Sequence, residues 1–271
     1  MAASAALGVG LVYLAAVRTG EGRRLDDAAK GALEEGSRAF DETSELLDTI
    51  SISSLALLGV AIMAIALLRG RPRLALGAGV IVLGANLTTQ ALKATLGRPS
   101  SGLPEAGTYP SGHVTVAMSL AMALVLVAPP ALRTTAAVFG GAYAIGVGVA
   151  VMALNWHRPS DVIGAYLVAV AWTALVGAAL ASTPGAGELR RPERPPSRAA
   201  QVVAGATIVL AVGFVAVTVI SGTSHRDLVR FVDDRTAFAA AAAVCALAGA
   251  ALAAVVAALL QRASRGGAAT R

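Results

Sequence analysis

Apolar residues in this chain come in long, nearly unbroken blocks rather than in alternating or short-period patterns. Eight such blocks are read at about 2–17, 51–68, 74–92, 113–132, 134–154, 161–182, 201–221 and 237–260. Each approaches the ~20 residues that cross ~30 Å of hydrocarbon at about 1.5 Å per residue. The predicted fold class is all-α, a polytopic bundle of membrane helices. The first block lacks both the basic leader and the small-residue cleavage site of a signal peptide, so it is read as a membrane helix.

The polar segments between the blocks sort by charge. Arg69, Arg71 and Arg73 fill one short loop, and Arg133 marks another. Arg190, Arg191, Arg194 and Arg198 crowd a third, and Arg262, Arg265 and Arg271 end the chain. With eight spans all of these share one face with the N-terminus, and excess Lys and Arg marks the cytoplasmic side. The opposite face carries more Asp and Glu than Lys and Arg. Segment 18–50 on that face has Leu25, Ala29, Ala32, Leu33, Gly36 and Phe40 at three- to four-residue spacing. Asp26, Asp27, Lys30, Glu34, Glu35 and Arg38 fall on the other side. This predicts an amphipathic interfacial helix, either a lid over a site or a solvated connector.

The expected organisation is an N-terminal helix and amphipathic non-cytoplasmic loop (1–50), a helical core (51–182), a Pro- and Arg-rich cytoplasmic linker (183–200), and a two-helix extension with tail (201–271). Composition adds constraints. With 56% hydrophobic and 14% charged residues, the chain is no ordinary soluble domain. Abundant Ala and Gly suit close helix packing in a bilayer and point to a GC-rich bacterial source, hence a bacterial cell membrane. The single cysteine, Cys245, excludes an intramolecular disulfide and a Cys-based zinc site.

Candidate chemistry is confined to a few positions. Of three histidines, His113 and His157 stand at the mouths of predicted helices on one face. His157 precedes Asp161 by four residues, which puts both on one side of a helix that Pro159 can start. A carboxylate on one ring nitrogen fixes the tautomer and leaves the other nitrogen nucleophilic. The alternative is that Ser160 or Asp161 merely caps the helix. In Pro110-Ser111-Gly112-His113, Gly112 lets backbone N–H groups approach a ligand, and a helix start is an anion site. The alternative there is an ordinary turn. Lys93 and Arg98 end the preceding span and supply positive charge, unless they only snorkel to the interface. His225 lies in a charged loop read as solvated. Asn86-Leu87-Thr88 falls inside a span and is not a glycosylation site. Trp156, Trp172 and Tyr109 are read as interfacial anchors.

These residues carry a resemblance. Lys93…Arg98-Pro99, then Pro110-Ser111-Gly112-His113, then His157…Asp161 resembles, in that order, the three signature blocks of the type 2 phosphatidic acid phosphatase (PAP2) superfamily, over about residues 51–182. The second block is complete. The first departs in spacing: only Ala94 to Gly97 separate Lys93 from Arg98, and the family's spacing falls on Ser100 and Ser101. The third lacks its leading Ser-Arg, which falls on Ala150 and Val151; Arg158 is the candidate substitute. The resemblance implies a six-helix catalytic core with His157 as nucleophile, Asp161 orienting it and His113 protonating the leaving oxygen. It further implies that Lys93, Arg98, Ser111 and Gly112 hold phosphate, with no metal and no cofactor. Expected partners are a lipid phosphate or pyrophosphate substrate and the membrane, with no nucleic acid.

Two other readings compete with this enzyme. A non-catalytic binder of lipid phosphates follows from Ala150 and Val151 standing where Ser-Arg is expected. A transporter predicts ionisable groups deep in the spans, whereas they cluster at one edge. A related haloperoxidase is disfavoured because such enzymes are soluble.

Overall fold

Blocks of Ala, Leu, Val and Gly fold as helices in an apolar solvent because each backbone N–H must find its partner within its own segment. The structure, a computed structural model, describes residues 1–29, 33, 35–48, 52–96, 108–182 and 227–265, except the side chains of 52–54, 227–236 and 262–265. The predicted seventh span (201–221), the linker, His225 and Arg98 lie outside the described residues. All regular elements among those described are helical.

Helix α1 (Ala2–Val12) runs on through a π-helical turn, Tyr13–Arg18, and is followed by α2 (Gly20–Ala28), α3 (Arg38–Asp48) and α4 (Ile52–Leu68). Then come α5 (Pro72–Thr95), α6 (Gly112–Val127), a short 3-10 turn at Pro130–Leu132, α7 (Arg133–Ala153), α8 (Pro159–Ser182) and α9 (Asp227–Arg265). Among the described residues four stretches are long and apolar enough to cross a bilayer: Pro72–Thr95, Pro130–Ala153, Pro159–Ser182 and Ala237–Gln261. Shorter apolar helices lie at Leu55–Leu68 and Gly112–Val127. The chain is an integral membrane protein built as a helical bundle.

Helix α6 is the innermost element. Its Met118, Met122 and Leu126 are fully buried, and α5, α7 and α8 surround it. Helix α9 lies against α7 and α8, and α1 packs on α8 as well. The loop with Arg69, Arg71 and Arg73 and the turn before Arg133 lie at one end of the bundle, and Lys93, His113 and His157 lie at the other. At the arginine end, Arg69 Nη1 donates to Val127 O at the last turn of α6 (2.5 Å), and buried Arg133 donates to Leu260 O (3.0 Å). A cation on the exposed carbonyls of a helix C-terminus also meets the negative end of its dipole.

The N-terminal amphipathic segment differs from the expected single helix. The chain bends by 89° after Arg18. Thr19 Oγ1 accepts from Gly22 N (3.0 Å) and donates to Ala15 O (2.6 Å), which caps α2 against the end of the preceding helix. A Cβ on Gly22 would lie 2.0 Å from Ala15 O, so the bend admits only glycine there. A second break follows at Gly36, whose φ of 79° is left-handed, and Ser37 then caps α3 through Phe40 N (3.2 Å). Ala29, Leu33 and Phe40 do face the bundle, as expected. Leu25 and Asp26 are reversed: Leu25 is 69% exposed and Asp26 only 6%. The reason is tertiary, because Asp26 caps another helix.

Candidate active site

The site is assembled from the C-terminal turn of α5 and the N-terminal ends of α6 and α8. At the start of α6, Tyr109 is buried, its ring packs on Tyr13 (centroids 5.5 Å apart), and its hydroxyl donates to Val9 O (2.6 Å). A Cβ on Gly164 would meet that ring at 2.7 Å, so α8 accepts the Tyr109-Pro110 turn only where it has no side chain. The Tyr109–Pro110 peptide bond is cis. Ser111 N then donates to Asp161 O (3.0 Å), tying the first residue before α6 to α8.

Among the described residues no side chain caps α6. Its first N–H groups have no intrahelical acceptor, an arrangement that favours a bound anion. A second observation points the same way. Ser111 is fully buried, and its Oγ has no hydrogen-bond partner among the described residues. An unpartnered buried hydroxyl costs about 1–3 kcal/mol, a cost that a bound acceptor removes. Lys93, in the last turn of α5, brings its Nζ to 3.4 Å from where a Cβ on Gly112 would sit.

A polar seam keeps Lys93 in register with this turn. Thr115 Oγ1 donates to Ser111 O (2.8 Å) and lies 2.9 Å from Thr89 Oγ1, and Asn86 Nδ2 donates to Ser119 Oγ (3.1 Å). The seam follows the four-residue period Ser111, Thr115, Ser119 on α6. Sequence reasoning singled out Ser111 but passed over Thr115 and Ser119, though that spacing was the available signal.

The α7–α8 connection carries the second histidine. Asn155 takes a left-handed φ of 62°, and the N–H groups of Trp156 and His157 both donate to Val151 O (3.0 and 3.1 Å). The chain thereby reverses within a few residues. Helix α8 starts at Pro159 as predicted. Asp161 Oδ2 lies 3.3 Å from His157 Nδ1 and accepts from Arg158 N (3.1 Å). One carboxylate therefore both caps the helix, in the reciprocal half of a capping box, and orients the ring. The capping contact and the His157–Asp161 contact are thus made by the same carboxylate.

Two further acids reach this turn from α2. Asp26 accepts from Ser160 N (2.9 Å) and pairs with Ser160 Oγ (2.6 Å). Asp27 Oδ1 accepts from Arg158 Nε (2.5 Å). Sequence reasoning placed both on the solvent side of an interfacial helix, and no local signal marked them otherwise.

The two ends meet. The rings of His113 and Trp156 stand 5.7 Å apart at 40°. His113 lies within electrostatic reach of His157, Lys93 and Asp48, and Lys93 within reach of Asp161. The structure thus brings together Lys93, Ser111, Gly112, His113, His157 and Asp161. It holds Arg158, nearly buried, on Asp27. Val151, where the family's arginine is expected, is wholly buried in the core. Among the described residues no three His, Cys, Asp or Glu side chains converge as metal ligands. Two expected interfacial anchors are instead internal: Tyr109 is buried, and Trp172 Nε1 donates to Thr88 Oγ1 (3.0 Å) between α8 and α5.

These features define a polytopic helical membrane protein with one polar, histidine-bearing end. Residues 74–181 match the family model described as the PAP2 superfamily. No curated protein and no solved structure matches the chain. Members of that superfamily are phosphatases, which supports phosphoester hydrolysis as the general class of chemistry.

Proposed function

We propose that the protein is a metal-independent phosphatase that hydrolyses a lipid phosphate or pyrophosphate, of the phosphatidate or polyprenyl-carrier kind, through a phosphohistidine. The observation that carries this reading is the contrast between two neighbouring helix starts. The N-terminus of α8 is filled by the carboxylates of Asp26 and Asp161. Among the described residues that of α6 has no side-chain cap, and it sits beside Lys93 and a Ser111 hydroxyl with no partner there. An anion therefore belongs on α6, and α8 delivers the nucleophile to it.

In this mechanism the α6 N–H groups, Ser111 and Lys93 hold the non-bridging oxygens, and Arg98 joins them if the family's first block is kept. His157 donates Nδ1–H to Asp161 and attacks phosphorus in line with Nε2. The P–O bond to the leaving group breaks as the P–N bond forms, and His113 gives its proton to the departing oxygen. Neutral His113 then takes a proton from water as that water attacks phosphorus, the P–N bond breaks, and inorganic phosphate leaves. Phosphoryl transfer asks mainly for such positioning and charge stabilisation. A site at the edge of the bundle suits a substrate whose tail stays in lipid. By the arginine rule the site faces away from the cytoplasm, since Arg69, Arg71, Arg73 and Arg133 lie at the opposite end.

The competing reading, a non-catalytic lipid-phosphate binder, is favoured by buried Val151 at the position of the family's arginine. Phosphate release from the purified protein, over a panel of lipid phosphates and pyrophosphates with chelator present, separates the two. The enzyme reading expects release that His157→Ala abolishes. Release that persists in His157→Ala, or that requires added metal, contradicts it.

A further inference from the structure

The N-terminal segment makes more contacts with the His157 turn than a lid or a connector needs. It touches that turn on both flanks. On the α7 side, Leu33 N donates to Ala153 O (3.0 Å). On the α8 side, Asp26 binds Ser160 through both backbone and hydroxyl, and Asp27 binds Arg158. The segment also reaches the second histidine, because Asp48, at the end of α3, lies within electrostatic reach of His113. All of these residues precede residue 74, where the family match begins.

Ordinary capping of α8 does not require this arrangement. Asp161 already supplies a carboxylate to the first turn through Arg158 N. Asp26 is almost fully buried, which is costly for a carboxylate unless its charge is compensated. Ser160 and the positive end of the α8 dipole supply part of that compensation. Ser160 lies in the first turn of α8, beside Asp161 and three residues after His157, which stands in the connection leading into the helix. Whatever fixes Ser160 fixes the start of α8 against which the His157 ring is held.

We propose that Asp26 is a positioning residue of the active site, which sets the His157 ring through Ser160 and makes the segment before the family-matched core a working part of the catalytic centre. This rests on the phosphatase reading above. Asp26 touches no reacting atom. Its effect is geometric, and a misplacement of about 1 Å at a reacting group costs on the order of 100-fold in rate.

The test compares full-length Asp26→Ala, Asp26→Asn, Ser160→Ala and the Asp26→Ala/Ser160→Ala pair, purified in detergent. Asn keeps an acceptor for Ser160 N and a donor for Ser160 Oγ, so it preserves the geometry and removes the charge. The expected result is a kcat lowered about tenfold or more in Asp26→Ala, with KM little changed. Asp26→Asn should keep most of the rate, and the double variant should be no slower than the slower single one. A readout independent of turnover is the rate at which diethyl pyrocarbonate modifies His157, followed by mass spectrometry; it should change in Asp26→Ala and not in Asp26→Asn. An Asp26→Cys/Ser160→Cys variant should form a disulfide between the two introduced thiols, which reports the contact even where the alanine variant folds poorly. Unchanged kcat and unchanged His157 modification in Asp26→Ala overturn the inference while His157→Ala still abolishes activity, and absence of the disulfide also counts against it. Activity that survives His157→Ala instead removes the phosphatase mechanism itself.

Discussion

Asp161 Oδ2 stands 3.3 Å from His157 Nδ1, and the carboxylate is wholly buried while the ring keeps a narrow opening to the surface. The same oxygen accepts from Arg158 N. An amide in its place still caps the helix through its carbonyl oxygen, so Asp161→Asn should fold normally. It no longer stabilises the charge that builds on the imidazole, and it allows the wrong tautomer. We expect kcat to fall about 10²–10⁴-fold, with a melting temperature close to wild type. Steady-state kinetics alongside thermal unfolding in detergent checks both halves.

The Gly112 position predicts a binding defect without a folding defect. Among the described residues a Cβ there meets only Lys93 Nζ, at 3.4 Å, and that is the far end of a flexible chain. Gly112→Ala should therefore fold, push the ammonium aside and occupy space beside the α6 N–H groups. The expected outcome is a KM raised about tenfold or more, with a smaller change in kcat. Inhibition by inorganic phosphate or vanadate should weaken in parallel. A KM at the wild-type value would place the anion elsewhere.

His113 should matter in proportion to how badly the leaving group needs a proton. Replacing it with Gln is expected to slow an alkyl phosphate about 10²–10⁴-fold. A nitrophenyl phosphate, whose leaving group departs without protonation, should lose much less in its phosphorylation step. Single-turnover release of nitrophenol compared with turnover of a lipid phosphate measures this. Equal losses for the two substrates would argue against His113 as the acid.

A structural prediction follows from Gly164. Its missing side chain leaves room for the Tyr109 ring, and that ring anchors the turn carrying Ser111. Gly164→Ala overpacks the contact at a cost of about 1–3 kcal/mol and shifts the α6 start. Both the melting temperature and activity should drop. By contrast, Thr115→Val breaks one interhelical hydroxyl pair and should cost only about 0.6 kcal/mol, the usual worth of such a bond between membrane helices.

Much of this molecule is legible in its sequence. The span boundaries follow from hydropathy because lipid leaves the backbone no alternative to helices, and α4, α5, α7 and α8 begin and end near their predicted limits. Pro159 and the His157–Asp161 spacing gave the first turn of α8, since both act within one turn of chain. Asp26 shows where such reading stops. Its amphipathic pattern assigns it to solvent, yet it is buried because Ser160, 134 positions away, offers two donors. The same holds for Tyr109 and Trp172, whose polar atoms found partners on Val9 and Thr88 rather than at the membrane surface. Long-range pairings of this kind leave no mark on local periodicity.

The central claim is that phosphorus is bonded to His157 during turnover. The most direct test is to incubate the purified protein with a lipid phosphate, quench at alkaline pH to preserve phosphohistidine, and map the phosphate by mass spectrometry. The account predicts an acid-labile phosphate on His157 that is absent from His157→Ala and that accumulates when a His113 variant, slowed in hydrolysis of the phosphoenzyme, is given a nitrophenyl phosphate, whose leaving group departs without protonation. Turnover with no phosphoenzyme, or with the phosphate on any other residue, would contradict it.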